Sequence, residues 1–294
     1  MEANVETRTI VLADGRELCV EVGGDLSGTP IVVHGGTPNS RHLFGPSIAD
    51  ARARGATLIC YDRPGYGRST PHKGHSVADG AADVRAIAES LGIERLATWG
   101  VSGGGPYALA CAALLPDLVV AAAAVASIAP WAAPELDYFD GMGELNVEDI
   151  HLYFSDPDAA RKKGQQEREQ YLAATPEQVA SAMSTLLSPV DAAALTGDLA
   201  NWLVWAMQDG LVPGDEGWWD DGVAHLAPWG FDLSAIRVPV KVWHGRQDRF
   251  VPVSHGIWLG EHIPGAETDI SGEDGHLSLI GRIGEVHAWL LGRF

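Results

Sequence analysis

Over its first 130 positions the chain alternates between two hydrophobic rhythms. Thr9–Leu12 and Leu18–Val22 flank Asp14-Gly15 and predict a hairpin. Pro30–His34 is a short β-branched run ending in Gly35-Gly36, and Thr57–Tyr61 and Leu96–Val101 read as further strands. Leu118–Ile128 is continuously apolar, as expected for a strand covered on both faces. Between these runs the spacing changes to that of helices. Arg41–Arg54 and Pro106–Leu115 read as helical, and Val77, Ala81, Val84, Ala88 and Leu91 would share one helix face.

From Trp131 to Gly230 no strand pattern is found. Helices are predicted over Val147–Phe154, Ala159–Ala173, Pro176–Leu187 and Asp191–Gln208, with Thr175 capping the helix that starts at Pro176. Strand–helix alternation then resumes through Val240–His244, Val253–His262, Thr268–Ile270 and Leu277–Leu290. The expected organisation is one α/β core built from residues 1–130 and 231–294. Residues 131–230 form a helical lid inserted into it.

The 294 residues include 39 Asp+Glu and 20 Lys+Arg, a formal net charge of −19. Nucleic acid and anionic membrane surfaces, both polyanions, are therefore disfavoured as partners, leaving a small molecule as the expected one. Of these residues, 18 acidic and 4 basic ones fall within 131–230. Most of them are expected on a solvated outer face, and an acidic lid would disfavour polyanionic substrates and favour neutral or cationic ones. Cys19, Cys60 and Cys111 make no metal-binding spacing and are expected as reduced, buried thiols. Met1–Ile10 has no basic region followed by an apolar stretch, and Pro116 and Asp117 interrupt the longest apolar region. Neither a signal peptide nor a membrane helix is expected, which makes the cytoplasm the default compartment.

Gly100-Val101-Ser102-Gly103-Gly104 is a G-x-S-x-G sequence lying between a predicted strand and a predicted helix. A serine on such a turn presents its hydroxyl at the strand's carboxyl end, and the flanking glycines remove side chains that would collide there. A hydroxyl becomes a useful nucleophile only when a base takes its proton. His276 lies in a polar loop between the last strand and the last helix, where it can reach Ser102. Asp248, just after the strand ending near His244, would orient that imidazole and stabilise its charged form. The preceding strand offers no carboxylate until Glu135 and Asp137, and Asp274 is too close to His276 to do more than shape its loop. An oxyanion site needs two backbone N–H groups. Gly103 is one candidate, and either Gly36 or Thr37, in the glycine-rich loop after His34, is the other.

Taken together, these motifs resemble the α/β-hydrolase-fold serine hydrolases of the lidded, single-domain kind. His34-Gly35-Gly36-Thr37-Pro38, Tyr61-Asp62-Arg63-Pro64-Gly65-Tyr66-Gly67-Arg68-Ser69, the Ser102 turn, Asp248 and His276 match that family in order and spacing. The likeness covers roughly residues 5–130 and 232–294 and implies a mostly parallel central sheet of about eight strands with helices on both faces. It also implies that Asp62–Ser69 is scaffold behind the oxyanion loop. Relatives that open epoxides or displace halide carry Asp where this chain has Ser102, so acyl chemistry is favoured. Proline iminopeptidase relatives carry Pro and Trp where this chain has Thr37 and Gly104, which counts against an aminopeptidase. No cofactor or metal is implied. The expected activity is cleavage of a carboxylic ester or lactone of a small, largely apolar substrate. C–C bond hydrolysis, perhydrolysis, cyanohydrin cleavage or a non-catalytic receptor are the alternatives. The insertion holds six of the ten tryptophans, and Trp131, Trp202, Trp205 and Trp229 are taken as candidates to line the substrate pocket. Trp218-Trp219-Asp220-Asp221 reads as a lid-closing loop.

Overall fold

The computed structural model describes residues 5–294. Eight strands form one sheet: β1 (Val5–Val11), β2 (Glu17–Gly24), β3 (Thr29–His34), β4 (Ala56–Tyr61), β5 (Leu96–Val101), β6 (Val119–Val125), β7 (Val240–Gly245) and β8 (Glu267–Ser271). Their spatial order is β1-β2-β4-β3-β5-β6-β7-β8. The β1–β2 and β2–β4 pairs are antiparallel and all later pairs are parallel. Gly15, with φ +86°, makes the turn of the β1–β2 hairpin.

The central strands are apolar on both sides because helices cover both faces. Ile31 and Val33 of β3 point to one face, where they meet Ala97 and Trp99 of β5. That face is covered by α1 (Gly45–Ala53) and α11 (Ile283–Leu291), through Ile48, Ile283, Val286 and Leu290. Val32 points the opposite way, towards Val84 and Ile87 of α2 (Asp79–Leu91) and Cys111 of α3 (Gly105–Leu114). Farther along that second face, α10 (Val253–His262) adds Trp258 and Leu259. The alternation along β3 is the two-residue period of a strand buried on both sides. β6, with the sequence VVAAAAV, is a strand despite its alanines, and its small side chains let α3 pack directly on the sheet.

Two predicted helices are corrected here. The segment 41–54 becomes helical only from Gly45, with Pro46 in its first turn. Ahead of that turn the backbone N–H groups of Arg41 and Leu43 donate instead to the buried carboxylates of Asp62 and Glu21, at 2.6 and 2.8 Å. The segment 191–208 is two helices, α7 (Pro189–Ala194) and α8 (Gly197–Leu211), because Gly197 takes a left-handed φ of +53°.

Between β6 and β7 the chain runs through α4 (Glu144–Ser155), α5 (Pro157–Ala173), α6 (Pro176–Ala182), α7, α8 and α9 (Glu216–Leu226). Thr175 caps α6 in a capping box with Gln178. These helices have a small core of their own, formed by Tyr171, Val179, Val204, Met207 and Leu211. A second cluster joins Leu195 and Ala200 to Leu277, on the loop that carries His276. Trp218–Asp221 lies within α9 and is not a loop. Among the described residues, no helix is long and apolar enough to cross a membrane.

Ile31 is fully buried at the centre of the sheet. Ile31→Ala is expected to lower unfolding free energy by about 2–5 kcal/mol, measured by chemical denaturation with an unchanged m-value.

Candidate active site

Ser102 follows β5 directly and has φ +55°, a left-handed backbone that a non-glycine residue adopts only when its surroundings enforce it. The enforcement is visible at the flanking glycines. A Cβ on Gly100 would overlap the Gly104 carbonyl, and one on Gly104 would overlap the His34 carbonyl. The turn is therefore clamped between β3 and the start of α3, with Ser102 at the carboxyl end of the sheet.

Asp248 and His276 come together at that same end. His276 Nδ1–H donates to Asp248 Oδ2 at 2.7 Å, and both residues are buried. The other Asp248 oxygen accepts the N–H groups of Phe250 and Val251 at 2.9 and 2.8 Å. His244 Nε2 lies 3.3 Å from Asp248 Oδ2 and also donates to the Val251 carbonyl at 2.9 Å. Burial alone would raise the Asp248 pKa, but the charges and hydrogen bonds of His276 and His244 bring it down to about 2. Burial pushes the His276 imidazole down, but the charge and hydrogen bond of Asp248, joined by the charge of Asp191, leave it above the ordinary 6.5. Phe250 stacks on His276 at 4.7 Å and lines the cavity that contains Ser102. No hydrogen bond joins Ser102 to His276. The structure therefore pairs acid with base and places the serine in the adjoining cavity.

That cavity has a volume of about 290 Å³, and Thr37, Pro38 and Gly103 line it beside Ser102. Gly36 sits just behind, with an added Cβ meeting the Ser102 Cβ at 3.5 Å. Most of the wall is apolar, for example Ile128, Met142, Leu186 and Leu226. Two carboxylates, Asp149 and Glu167, also line it and share one cation, Lys163. Burial, reinforced by the Asp149 charge, raises the Glu167 pKa.

The loop after β3, Gly35–Thr37, is held from behind by Arg63. Its guanidinium donates to the Gly35 carbonyl at 2.5 Å and to Thr37 Oγ1 at 3.0 Å, and it pairs with Asp221 of α9 at 2.6 Å. Asp221 accepts further bonds from Tyr66 (3.0 Å), Tyr107 (2.7 Å) and Thr37 Oγ1 (3.0 Å). Burial would raise the Asp221 pKa, but the Arg63 charge holds it well below the ordinary carboxylate value. α9 approaches the loop after β4 closely because both contact residues are glycines. A Cβ on Gly65 would lie 2.8 Å from the Gly217 Cα. His225, also on α9, donates from Nε2 to the Gly103 carbonyl at 2.9 Å and lines the Ser102 cavity. Burial lowers its pKa against the opposing charge of Asp221.

None of the four candidate tryptophans lines this cavity. Trp131 stacks on Phe154 and meets Tyr138 edge-on, so Tyr138 stands between it and the cavity. Trp202 is tied to the His42 carbonyl through Nε1 at 2.9 Å and packs on Phe44. Trp205 stacks on His42 at 3.5 Å and is 52% exposed. Trp229, just after α9, is buried against Phe231 in the core cluster that holds Val77 and Tyr107. Trp218 is the tryptophan that lines the cavity. Spacing on a helix indicates which side chains share a face, and it does not indicate which core that face meets.

Three carboxylates of the acidic insertion turn inward. Asp191 and Asp221 are fully buried, and Asp209 pairs with Arg41 and His42 at 2.8 and 3.1 Å. Asp191, Asp221, His225 and Trp218 stand at the candidate site and were missed by sequence reading. The contacts that bring Asp191, Asp221 and His225 to this site reach 85 to 184 positions along the chain, beyond any short-range motif.

Residues 29–282 match the family model described as alpha/beta hydrolase fold. A non-heme haloperoxidase of Rhodococcus erythropolis is 27% identical over 258 residues, covering 84% of each chain. A non-heme chloroperoxidase of Streptomyces lividans is 33% identical over 124 residues, which span 42% of this chain and 45% of that protein. An esterase from Exiguobacterium antarcticum superposes with a TM-score of 0.72 at 22% identity, over 98% of both chains. That last likeness speaks for the fold alone.

Asp221→Asn would leave the Arg63 charge buried without its counter-ion. The expected loss of stability is about 3–5 kcal/mol, read as a drop in thermal midpoint against wild type.

Proposed function

The chain belongs to the alpha/beta hydrolase family, and on that premise we propose that it is a serine hydrolase that cleaves esters or lactones of small, largely apolar substrates. It is an enzyme, and its relatives make it a hydrolase. The observation that carries the finer reading is the strained turn that presents Ser102 in a cavity beside the buried Asp248–His276 pair.

In this mechanism His276 takes the Ser102 proton through Nε2, its Nδ1–H being committed to Asp248. Ser102 Oγ attacks the carbonyl carbon, and the oxyanion is received by the backbone N–H groups of Gly103 and Thr37. Thr37 is preferred to Gly36 because Thr37 lines the cavity beside Ser102 and Gly36 stands behind it. His276 passes its proton to the departing alcohol. Water, deprotonated by the same imidazole, then releases the acid from Ser102. Asp248 stays ionised throughout, as its low pKa requires. The helical segment 131–230 acts as the lid that walls the cavity, through α4, α5 and α9.

The names of the two sequence relatives favour one second reading. Hydrogen peroxide would replace water as acceptor of the acyl group, giving a peracid from the same acyl-enzyme.

Ser102→Ala is expected to lower hydrolysis of 4-nitrophenyl esters by at least about 10³-fold and to abolish labelling by a fluorophosphonate probe. Full activity and labelling in that variant would reject the reading. The cavity wall sets two carboxylates against one ammonium. A neutral ester is therefore expected to exceed a matched anionic one in kcat/KM by at least about tenfold at low salt, a gap that narrows as salt is added. Equal values at low salt would remove the charge filter.

A further inference from the structure

The loop that carries His276 is not held by the α/β core alone. Asp191, on α7 of the helical segment, reaches under it with both carboxylate oxygens. Oδ2 accepts the His276 N–H at 3.0 Å, and Oδ1 accepts the Leu277 and Ser278 N–H groups at 2.8 and 3.0 Å. Ser188 Oγ donates to Oδ2 at 2.8 Å, which fixes the carboxylate within its own helix turn. The contact is also tight from the other side, since a Cβ on Gly275 would overlap Asp191 Oδ2. Three consecutive backbone donors on one ionised acceptor define the height and direction of the loop at the residue that bears the imidazole.

We propose that Asp191 is a positioning residue for the His276 base, so that the helical segment supplies a working part of the catalytic machinery as well as a cover. This rests on the reading of His276 as the base. Two carboxylates face that imidazole: Asp248 through the ring, and Asp191 through the backbone and its charge. His244 acts on it through Asp248, and Asp274 of the same loop turns to Arg282 at 3.7 Å. Ring orientation is thus set by Asp248, and the place from which the ring swings is set by Asp191. Displacement of about 1 Å at a base of this kind costs on the order of 10²-fold in rate.

The test uses two variants of the full chain. Asp191→Asn keeps the shape, and its remaining oxygen serves two of the three donors, but its amide NH₂ meets the His276 N–H and the negative charge is gone. Removing that charge destabilises the imidazolium. The neutral base then persists to lower pH, and the acid limb of kcat/KM moves down. The expected result is a kcat lower by about 10–100-fold, KM within about twofold of wild type, and a limb shifted to lower pH. Gly275→Ala disturbs the same contact with the charge retained, so kcat falls with the limb in its wild-type place. A folded Asp191→Asn variant with wild-type kcat overturns the proposal. So does a fall in kcat without a shift of the limb, which would make Asp191 structural only. Should Asp191→Asn not fold, Gly275→Ala decides, and a wild-type kcat there overturns the proposal. Ser102→Ala separates the two levels. If it is inactive while both loop variants match wild type, the serine-hydrolase reading stands and the positioning role falls.

Discussion

The Arg63–Asp221 ion pair is the constraint on which the rest of the arrangement depends. Both groups are buried, and an unpaired charge at either place would be prohibitive. The pair is tolerable because nearly every lone pair and proton is used. Asp221 takes donors from Arg63, Tyr66, Tyr107 and Thr37, and Arg63 also serves the Gly35 carbonyl. These partners come from the Gly35–Thr37 loop, from the loop after β4, from α3 and from α9. The same bonds that satisfy the charge therefore tie the Gly35–Thr37 loop to the loop after β4, to α3 and to α9. Local order at the candidate site is set by electrostatic satisfaction, with apolar packing supplying the surround.

A second carboxylate repeats this logic on the other side of the cavity, where Asp191 holds the His276 loop. The acidity of residues 131–230 thus has two components. Some of it faces solvent, while three aspartates point back into the seam and meet Arg63, the Arg41–His42 pair and a row of backbone donors. A charge count assigns these residues to a segment, and only their partners show which way they point.

The sheet was legible because its signal is local. Val32 and Val33 alternate faces as a buried strand requires, and the strained Ser102 turn lies in a five-residue motif whose glycines have visible steric reasons. The Asp248–His276 pair was legible through chain order after the last two strands. Helix boundaries were misread where distant groups claimed the backbone, as at Arg41 and Leu43, whose N–H groups belong to Asp62 and Glu21. The pocket wall was misread because a tryptophan packs equally well on a cavity, on another ring or on His42. Asp191, Asp221 and His225 had no local signature, since each works through a residue far away in sequence.

The helical segment leaves the sheet at β6 and re-enters at β7, which are adjacent parallel strands. Because the strands are parallel, it leaves at the carboxyl end of β6 and must return to the amino end of β7, where Val240 lies opposite Ala122, about 10 Å down the sheet from Val125. Topologically it is a cassette, replaceable without reordering a single strand. Chemically it is not portable, because a transplanted segment would have to bring a carboxylate under the His276 loop and another to Arg63 behind the Gly35–Thr37 loop. A segment without them would leave Arg63 buried with no counter-ion, so recombination at this joint burdens folding itself.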